Sequence, residues 1–400
     1  MAGTSNPPEP KLKSVEARVG PGELLELATT ADSMLQSVRE SMLRPHPRKN
    51  PPEFSTTQLA SLCNIDRTRL NYLVGKGELP PGRMNGTGRA RTFTLAESRT
   101  WIQAEAGIES RPAGKRGKVI CISNFKGGST KTTTAMTLAQ GLSLRGRRVL
   151  IVDLDPQASL TTLCGLLPDA EINEDMTVMP LIYGDQSDLK YAVQPTYWDG
   201  MDLIPGAPGL FAAEFAIPHT VAENPGFHFW AILQPALQEL AQDYDVVVID
   251  TPPSLSYLTI NALMAADGLV MPLPPNALDF ASAAQYWNLF SDLATTIQRR
   301  NFTKTFDFVN VLLSRVNSQD AASAVVRDWI TATYRSKVLQ IEIPLTSVSS
   351  TTALEFATVY DVAKWEGAAK TYARARDAYD RLVETIDQKL VNLWLEDETA

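Results

Sequence analysis

Between residues 22 and 43, apolar side chains recur at three- and four-residue steps: Leu24, Leu27, Ala28, Ala31, Leu35, Val38 and Met42. That spacing is one face of a helix. Pro21 precedes it, and Pro45 and Pro47 stop it. At 1.5 Å per residue it would run about 30 Å. Such a stripe either packs on its own domain or meets a second copy of the chain. Residues 1–20 are polar and Pro-rich and predict disorder, and 44–52, with four prolines, reads as a linker.

From residue 52 to 108 the pattern is short and punctuated. Ser55 can cap a helix over 56–63. Asn64, Ile65 and Asp66 break it, and a second helix follows over 67–75. A loop rich in Arg and Gly leads to a strand-like run over 91–94, then a third helix over 95–106.

Beyond residue 118 the pattern changes to short, branched, nearly continuous apolar runs at 118–124, 148–153, 245–250, 268–273, 306–313 and 338–343, with helical segments between. Runs of that kind are buried on both faces. They predict an α/β fold with a mostly parallel sheet flanked by helices.

The net charge of −8 over 400 residues conceals an asymmetry. Residues 1–43 carry −2, residues 44–118 carry +8, and residues 119–400 carry −14. A basic module joined to an acidic one points to a polyanionic partner for the basic part. Cys63, Cys121 and Cys164 are far apart, without metal-ligand spacing, and read as free buried thiols. No apolar run is long enough to span a membrane and no secretory pattern opens the chain, so the expected location is cytoplasmic.

The chemistry concentrates at 124–133, where Asn124-Phe125-Lys126-Gly127-Gly128-Ser129-Thr130-Lys131-Thr132-Thr133 follows the first strand and opens a helix over 132–144. Two glycines allow close backbone approach to an anion, and successive N–H groups with the helix N-terminus face it. Lys131 can reach β- and γ-phosphates, and the Thr132 hydroxyl can bind Mg²⁺. The simple pattern G-x-x-x-x-G-K-[ST] is not met, because Phe125 and Thr130 occupy its glycine positions.

The loop instead resembles the deviant Walker A, K-G-G-x-x-K-[ST], of the ParA/MinD superfamily. The segments "RVLIVDLDPQASLT" and "YDVVVIDTPP" resemble that family's next two motifs, in order, each ending a strand. The resemblance extends to the large plasmid-type ParA partition ATPases, close to the ParA-like RepA proteins of repABC replicons. It implies ATP and Mg²⁺ as cofactors held along Lys126–Thr133. It further implies Lys126 reaching a partner's nucleotide across a homodimer, Asp155 positioning the attacking water, Asp153 near the metal, Asp250 on Mg²⁺, and Pro344 against adenine. Most members have glycine where Thr130 stands, which bears on loop shape and hydrolysis rate. The end of "TSVSSTTALEFATVYDV" resembles the segment where nucleotide-bound partners meet.

The segment "TTQLASLCNIDRTRLNYLVGKGELP" resembles the winged helix-turn-helix of MerR-like regulators. In that geometry Arg67, Thr68, Arg69 and Asn71 would face base edges, and Arg83, Arg89 and Arg91 on the wing would hold phosphates. The organisation expected is therefore 1–50 as a disordered start and dimerisation helix, 51–110 as a winged helix-turn-helix, and 111–400 as a ParA-type P-loop ATPase. Arg315, Arg327 and Lys337, within a basic stretch over 299–337, and Arg374, Arg376 and Arg381 are candidates for nonspecific DNA contact.

By this resemblance the chain is a DNA partition ATPase. It would bind nonspecific DNA as an ATP dimer in association with the nucleoid, respond to a ParB-type partner, and repress its own operator. The alternative is a transcription or replication-control regulator in which nucleotide is only a switch. A membrane-cycling division-site ATPase is disfavoured because "VETIDQKLVNLWLEDETA" is acidic. An iron–sulfur reductase would need bridging cysteines.

Overall fold

The computed structural model describes residues 19–43, 49–86, 88, 90–346, 348, 356–362 and 368–396. The chain divides into two units, Met1–Arg48 and Lys49–Ala400.

The first contains helix α1 (Pro21–Leu43), starting one residue before the periodic pattern. Leu24, Leu25, Leu27 and Met34 leave much of their surface exposed. The side chains of Leu35, Val38 and Met42 lie outside the described set.

The second unit begins with β1 (Phe54–Ser55) and α2 (Thr56–Leu62). Ser55 and Gln58 cap each other's backbone N–H groups, forming a capping box at the start of α2. Asp66 caps α3 (Arg67–Lys76), and Gly77 ends it in the left-handed region. β2 (Arg83–Met84) and β3 (Arg91–Phe93) form an antiparallel hairpin on which β1 also pairs, in the order β1-β3-β2. Thr94 and Glu97 make a second capping box for α4 (Leu95–Glu105). Leu59, Leu70, Phe93 and Trp101 form a small core of their own.

The large sheet is built from β4 (Lys118–Ile122), β5 (Val149–Asp153), β6 (Gln194–Pro195), β7 (Met201–Ile204), β8 (Val246–Asp250), β9 (Gly268–Leu273), β10 (Phe308–Val316) and β11 (Val338–Pro344). Their order is β11-β10-β9-β4-β8-β5-β7-β6. Every pairing is parallel except β6 with β7. Alternate residues serve opposite layers: Val119, Cys121 and Val247 join one core, and Ile120, Ile122 and Val248 the other. That is why these strands read as unbroken apolar runs.

Helix α5 (Lys131–Ser143) follows β4 and is buried along most of its length. The C-terminal helix α13 (Ala369–Glu396) packs on the same face, with Leu382, Val383, Ile386 and Trp394 buried. Arg99 of α4 reaches the far end of α5. Its guanidinium donates to the carbonyls of Ser143 and Arg147 at 3.0 and 2.9 Å and pairs with Asp199 at 2.7 Å. Three cysteines, all buried, are free. No helix among the described residues is long and apolar enough to cross a membrane.

Candidate functional site

Register decides where the chemistry gathers. Ile122 at the end of β4 sits opposite Asp250, and Asp250 sits opposite Asp153. Three neighbouring parallel strands thus finish level, as ligand sites in open α/β sheets do. The loop of 124–131 leaves β4 there, and Asp250 and Asp153 close β8 and β5 beside it.

Asn124 anchors the loop's start. Its amide donates to the Pro272 carbonyl at 2.7 Å, and its oxygen accepts the Lys126 N–H at 3.1 Å. Gly127 is exposed with open space around it. Gly128 and Thr130 both take left-handed φ, 74° and 73°. For Gly128 that is unstrained, whereas for a β-branched Thr130 it is unfavourable. α5 begins at Lys131 without a side-chain cap, so its first N–H groups face an open site. Lys131 is buried, and its ammonium donates to the Lys126 carbonyl at 3.2 Å. Thr132 and Thr133 are half-buried on the first turn, and Lys126 is half-buried at the loop's rim.

The carboxylates differ in what holds them. Asp153 is buried and fully engaged: one oxygen accepts the Asp155 N–H, the other the N–H and hydroxyl of Thr161. Burial raises its pKa to about 6 against these bonds, and the charge of Asp155 adds to the rise. Asp155 accepts the Gln157 N–H at 2.9 Å, and its charge acts on Lys131. Asp250 is buried, and no well-formed hydrogen bond from the described residues reaches either oxygen. Burial, then the charge of Asp153, drives its pKa well up, with Thr132 and Lys131 pulling the other way. Burial likewise lowers the pKa of Lys131, with Asp250 and Asp155 opposing. The hydroxyls of Ser129 and Thr130 are also buried without a partner.

These orphaned groups fit a magnesium nucleotide. An anion would meet Lys131 and the helix N-terminus, and a hard cation would meet the bare oxygens of Asp250. No cluster of three or more His, Cys, Asp or Glu side chains able to hold a metal unaided occurs among the described residues.

Pro344 ends β11 opposite Val316 of β10 and lines a groove of about 660 Å³ with Asn317 and Leu345. Arg67, Thr68, Arg69 and Asn71 are exposed on the first two turns of α3, with Arg69 paired to Glu105 at 2.8 Å. Arg83 is exposed on β2, Arg91 donates to the Pro81 carbonyl, and Arg89 lies outside the described residues.

The basic stretch over 299–337 is dispersed. Lys304 donates to the carbonyls of Met264 and Ala266. Arg327 pairs with Glu342 at 3.2 Å. Arg315 turns to the phosphate loop, donating to the Gly128 carbonyl at 3.1 Å. Lys337 stays exposed. On α13, Arg376 pairs with Asp380 and covers the Tyr360 ring, whereas Arg374 and Arg381 are exposed. Ser314, at the site, carries no local sequence signal, whereas Thr161 ends the segment "RVLIVDLDPQASLT".

A parallel sheet whose central strand feeds a glycine-rich loop and a helix defines the chain as a protein of P-loop ATPase fold. A family model described as an AAA domain matches residues 117–303. The chain is 31% identical to a putative replication protein A of Sinorhizobium fredii over 89% of this chain and 90% of that one. It is 32% identical to the chromosome partitioning protein ParA of Myxococcus xanthus over 57% of this chain and 75% of that one. Among solved structures, a partition protein superposes with a TM-score of 0.65 over 92% of this chain and 97% of that one, at 20% identity. A cobyrinic acid a,c-diamide synthase from Mycobacterium smegmatis, with ATP analogue and magnesium bound, does so at 0.52 over 68% and 94%, at 28% identity. The chain belongs to the plasmid ParA-type P-loop ATPases.

Proposed function

We propose that this chain is a Mg-ATP-dependent DNA partition ATPase. The observation that carries the reading is Asp250: a buried carboxylate that no well-formed hydrogen bond from the described residues reaches, with the Thr132 side chain close enough to favour its charge, one strand from a lysine whose ammonium meets a backbone carbonyl. Leaving both groups so is costly unless a ligand completes them.

In this reading the backbone N–H groups from Gly127 to Thr133 surround the phosphates, and Lys131 offsets their charge. Lys126 does the same for the nucleotide of a second copy. Thr132 and Asp250 hold the metal, with Asp153 behind them. Asp155 orients a water for attack, and Pro344 lies against the adenine. Magnesium ATP, when bound, supplies the phosphoryl group and the metal's charge. Catalysis by the chain's own residues is then positioning and electrostatics. A positive charge from the partner copy acts as an arginine finger does.

The region 51–110 is read as a winged helix-turn-helix that represses its own operator through Arg67, Thr68, Arg69 and Asn71, with Arg83, Arg89 and Arg91 on phosphates. Residues 1–50 carry a dimerisation helix, for which the exposed apolar side chains of α1 are suited. Residues 111–400 are the ATPase, cytoplasmic and nucleoid-associated. As an ATP dimer it binds nonspecific DNA through Arg315, Arg327 and Lys337, and a ParB-type partner stimulates hydrolysis and release.

A second reading, a nucleotide-switched replication or transcription regulator, is favoured by Thr130. Its left-handed backbone stands where a glycine would be unstrained and suits slow hydrolysis.

Binding of random-sequence duplex DNA with ATP, with ADP and without nucleotide, at two salt concentrations, tests the reading. The partition ATPase binds in ATP alone and weakens steeply with salt. Indifference to nucleotide favours the switch.

A further inference from the structure

The end of β10 is irregular. Its pairing with β11 runs Leu313 with Glu342 and then Val316 with Pro344, so Ser314 and Arg315 together face one residue, Ile343. That is a β-bulge, a device that re-aims side chains beside sites. Arg315 adopts φ 51°, in the left-handed region that an L side chain enters at a steric cost.

Both bulge residues turn to the phosphate loop. The Ser314 hydroxyl, buried, donates to the Ser129 carbonyl at 3.1 Å. The Arg315 guanidinium donates to the Gly128 carbonyl, also at 3.1 Å. In a trans peptide the N–H of the next residue points opposite to the carbonyl. With the carbonyls of Gly128 and Ser129 drawn toward β10, the N–H groups of Ser129 and Thr130 face away from it. The residue that follows these two carbonyls, Thr130, is the one held at φ 73°.

We propose that Arg315, with Ser314, is a positioning residue that holds the phosphate loop in its anion-binding form against the strain at Thr130. The inference rests on the reading of 124–133 as a nucleotide phosphate loop. Arg315 is exposed in the free chain, where a single hydrogen bond to it counts for little. A nucleotide covering the loop excludes water and strengthens that bond, so the effect appears in nucleotide binding more than in folding.

The test is titration of the full chain with a fluorescent ATP analogue, with melting temperature measured alongside. Arg315→Met is expected to weaken binding about tenfold, the worth of one charge-assisted hydrogen bond, with little change in the melting temperature of the free chain. Arg315→Lys recovers most of the loss. Ser314→Ala weakens binding in the same direction. In a Thr130→Gly background, where left-handed φ costs nothing, the penalty of Arg315→Met shrinks to under about threefold, a coupling that a double-mutant cycle reads directly.

Wild-type affinity in Arg315→Met, with Lys131→Ala unable to bind, would overturn the proposal and leave the phosphate site standing. An undiminished penalty in the Thr130→Gly background would overturn positioning in favour of direct contact. Lost DNA binding with unchanged nucleotide affinity would overturn positioning and leave Arg315 a DNA contact alone. A wild-type chain that binds no nucleotide would overturn both the site reading and the inference.

Discussion

One carboxylate oxygen of Asp153 accepts both the backbone N–H and the hydroxyl of Thr161, each at 2.8 Å. The same hydroxyl oxygen accepts the Gly206 N–H at 2.8 Å. A Cβ on Gly206 would lie 2.8 Å from the Asp153 carboxyl carbon, so the backbone approach requires glycine. This knot joins the end of β5 to the residues after β7 and fixes the turn that carries Asp155.

Thr161→Val keeps the shape of the knot and removes its hydroxyl. It leaves the Gly206 N–H buried without an acceptor, and a destabilisation of about 1–3 kcal/mol is expected in urea unfolding. A variant as stable as the wild type would mean that water replaces the hydroxyl.

Lys131→Ala and Asp155→Ala separate binding from hydrolysis. The first is expected to lose nucleotide binding. The second should bind ATP yet release phosphate at least about a hundredfold more slowly, the usual scale for a lost acid–base or water-positioning group, and remain on DNA. Normal turnover in Asp155→Ala, measured by phosphate release, would remove that residue from its assigned role.

Arg67→Ala tests the α3 reading. A base-edge contact is worth about 1–3 kcal/mol, so operator affinity should fall while ATP-dependent binding to random DNA holds. Equal losses in gel-shift titrations of both DNAs would sink the recognition-helix assignment. Arg69 is the less clean choice because Glu105 already holds it.

Lys304 predicts a pH dependence. Burial lowers its pKa from an ordinary 10.5 to about 8, against the charges of Asp267 and Asp307 and with that of Arg116. Between those values the folded chain holds fewer protons at this group than the unfolded chain, so its contribution to stability rises with pH there and is flat below. The melting-temperature difference between wild type and Lys304→Met, followed from pH 7 to 10, should shift in favour of the wild type above about pH 8. A constant difference would contradict the shift.

Much of this was legible in the sequence, and the exceptions have physical causes. The central strands announced themselves because burial on both faces demands continuous apolar runs. β6, with Gln194 and Pro195, has no such run; Pro is tolerated there because it lies at the sheet's edge. β7 was too short to stand out. β10 extends to Val316, three residues past its predicted end, because Ser314 and Arg315 break the apolar pattern. Those polar residues are the ones that reach the loop. Charge counting grouped Arg315 with Lys304 and Arg327, but a linear count cannot see that each meets a different acceptor. The loop, Asp153, Thr161 and Asp250 were recognisable from motif order, whereas Gly206 joins the site only through the register of β7 on β5.

Arg99 bears on how the protein can be taken apart. Its guanidinium satisfies carbonyls at the end of α5, the helix whose other end opens the phosphate site, while Phe54 and Leu95 belong to the same core layer as α5 and α13. Cutting the chain near residue 110 would remove this charged donor, leaving the Ser143 carbonyl only the Gly146 N–H, and bare an apolar patch. A shortened chain made this way would be perturbed at the far end of the helix that follows the glycine-rich loop, so any change in its behaviour would mix a packing defect with the loss of residues 1–110.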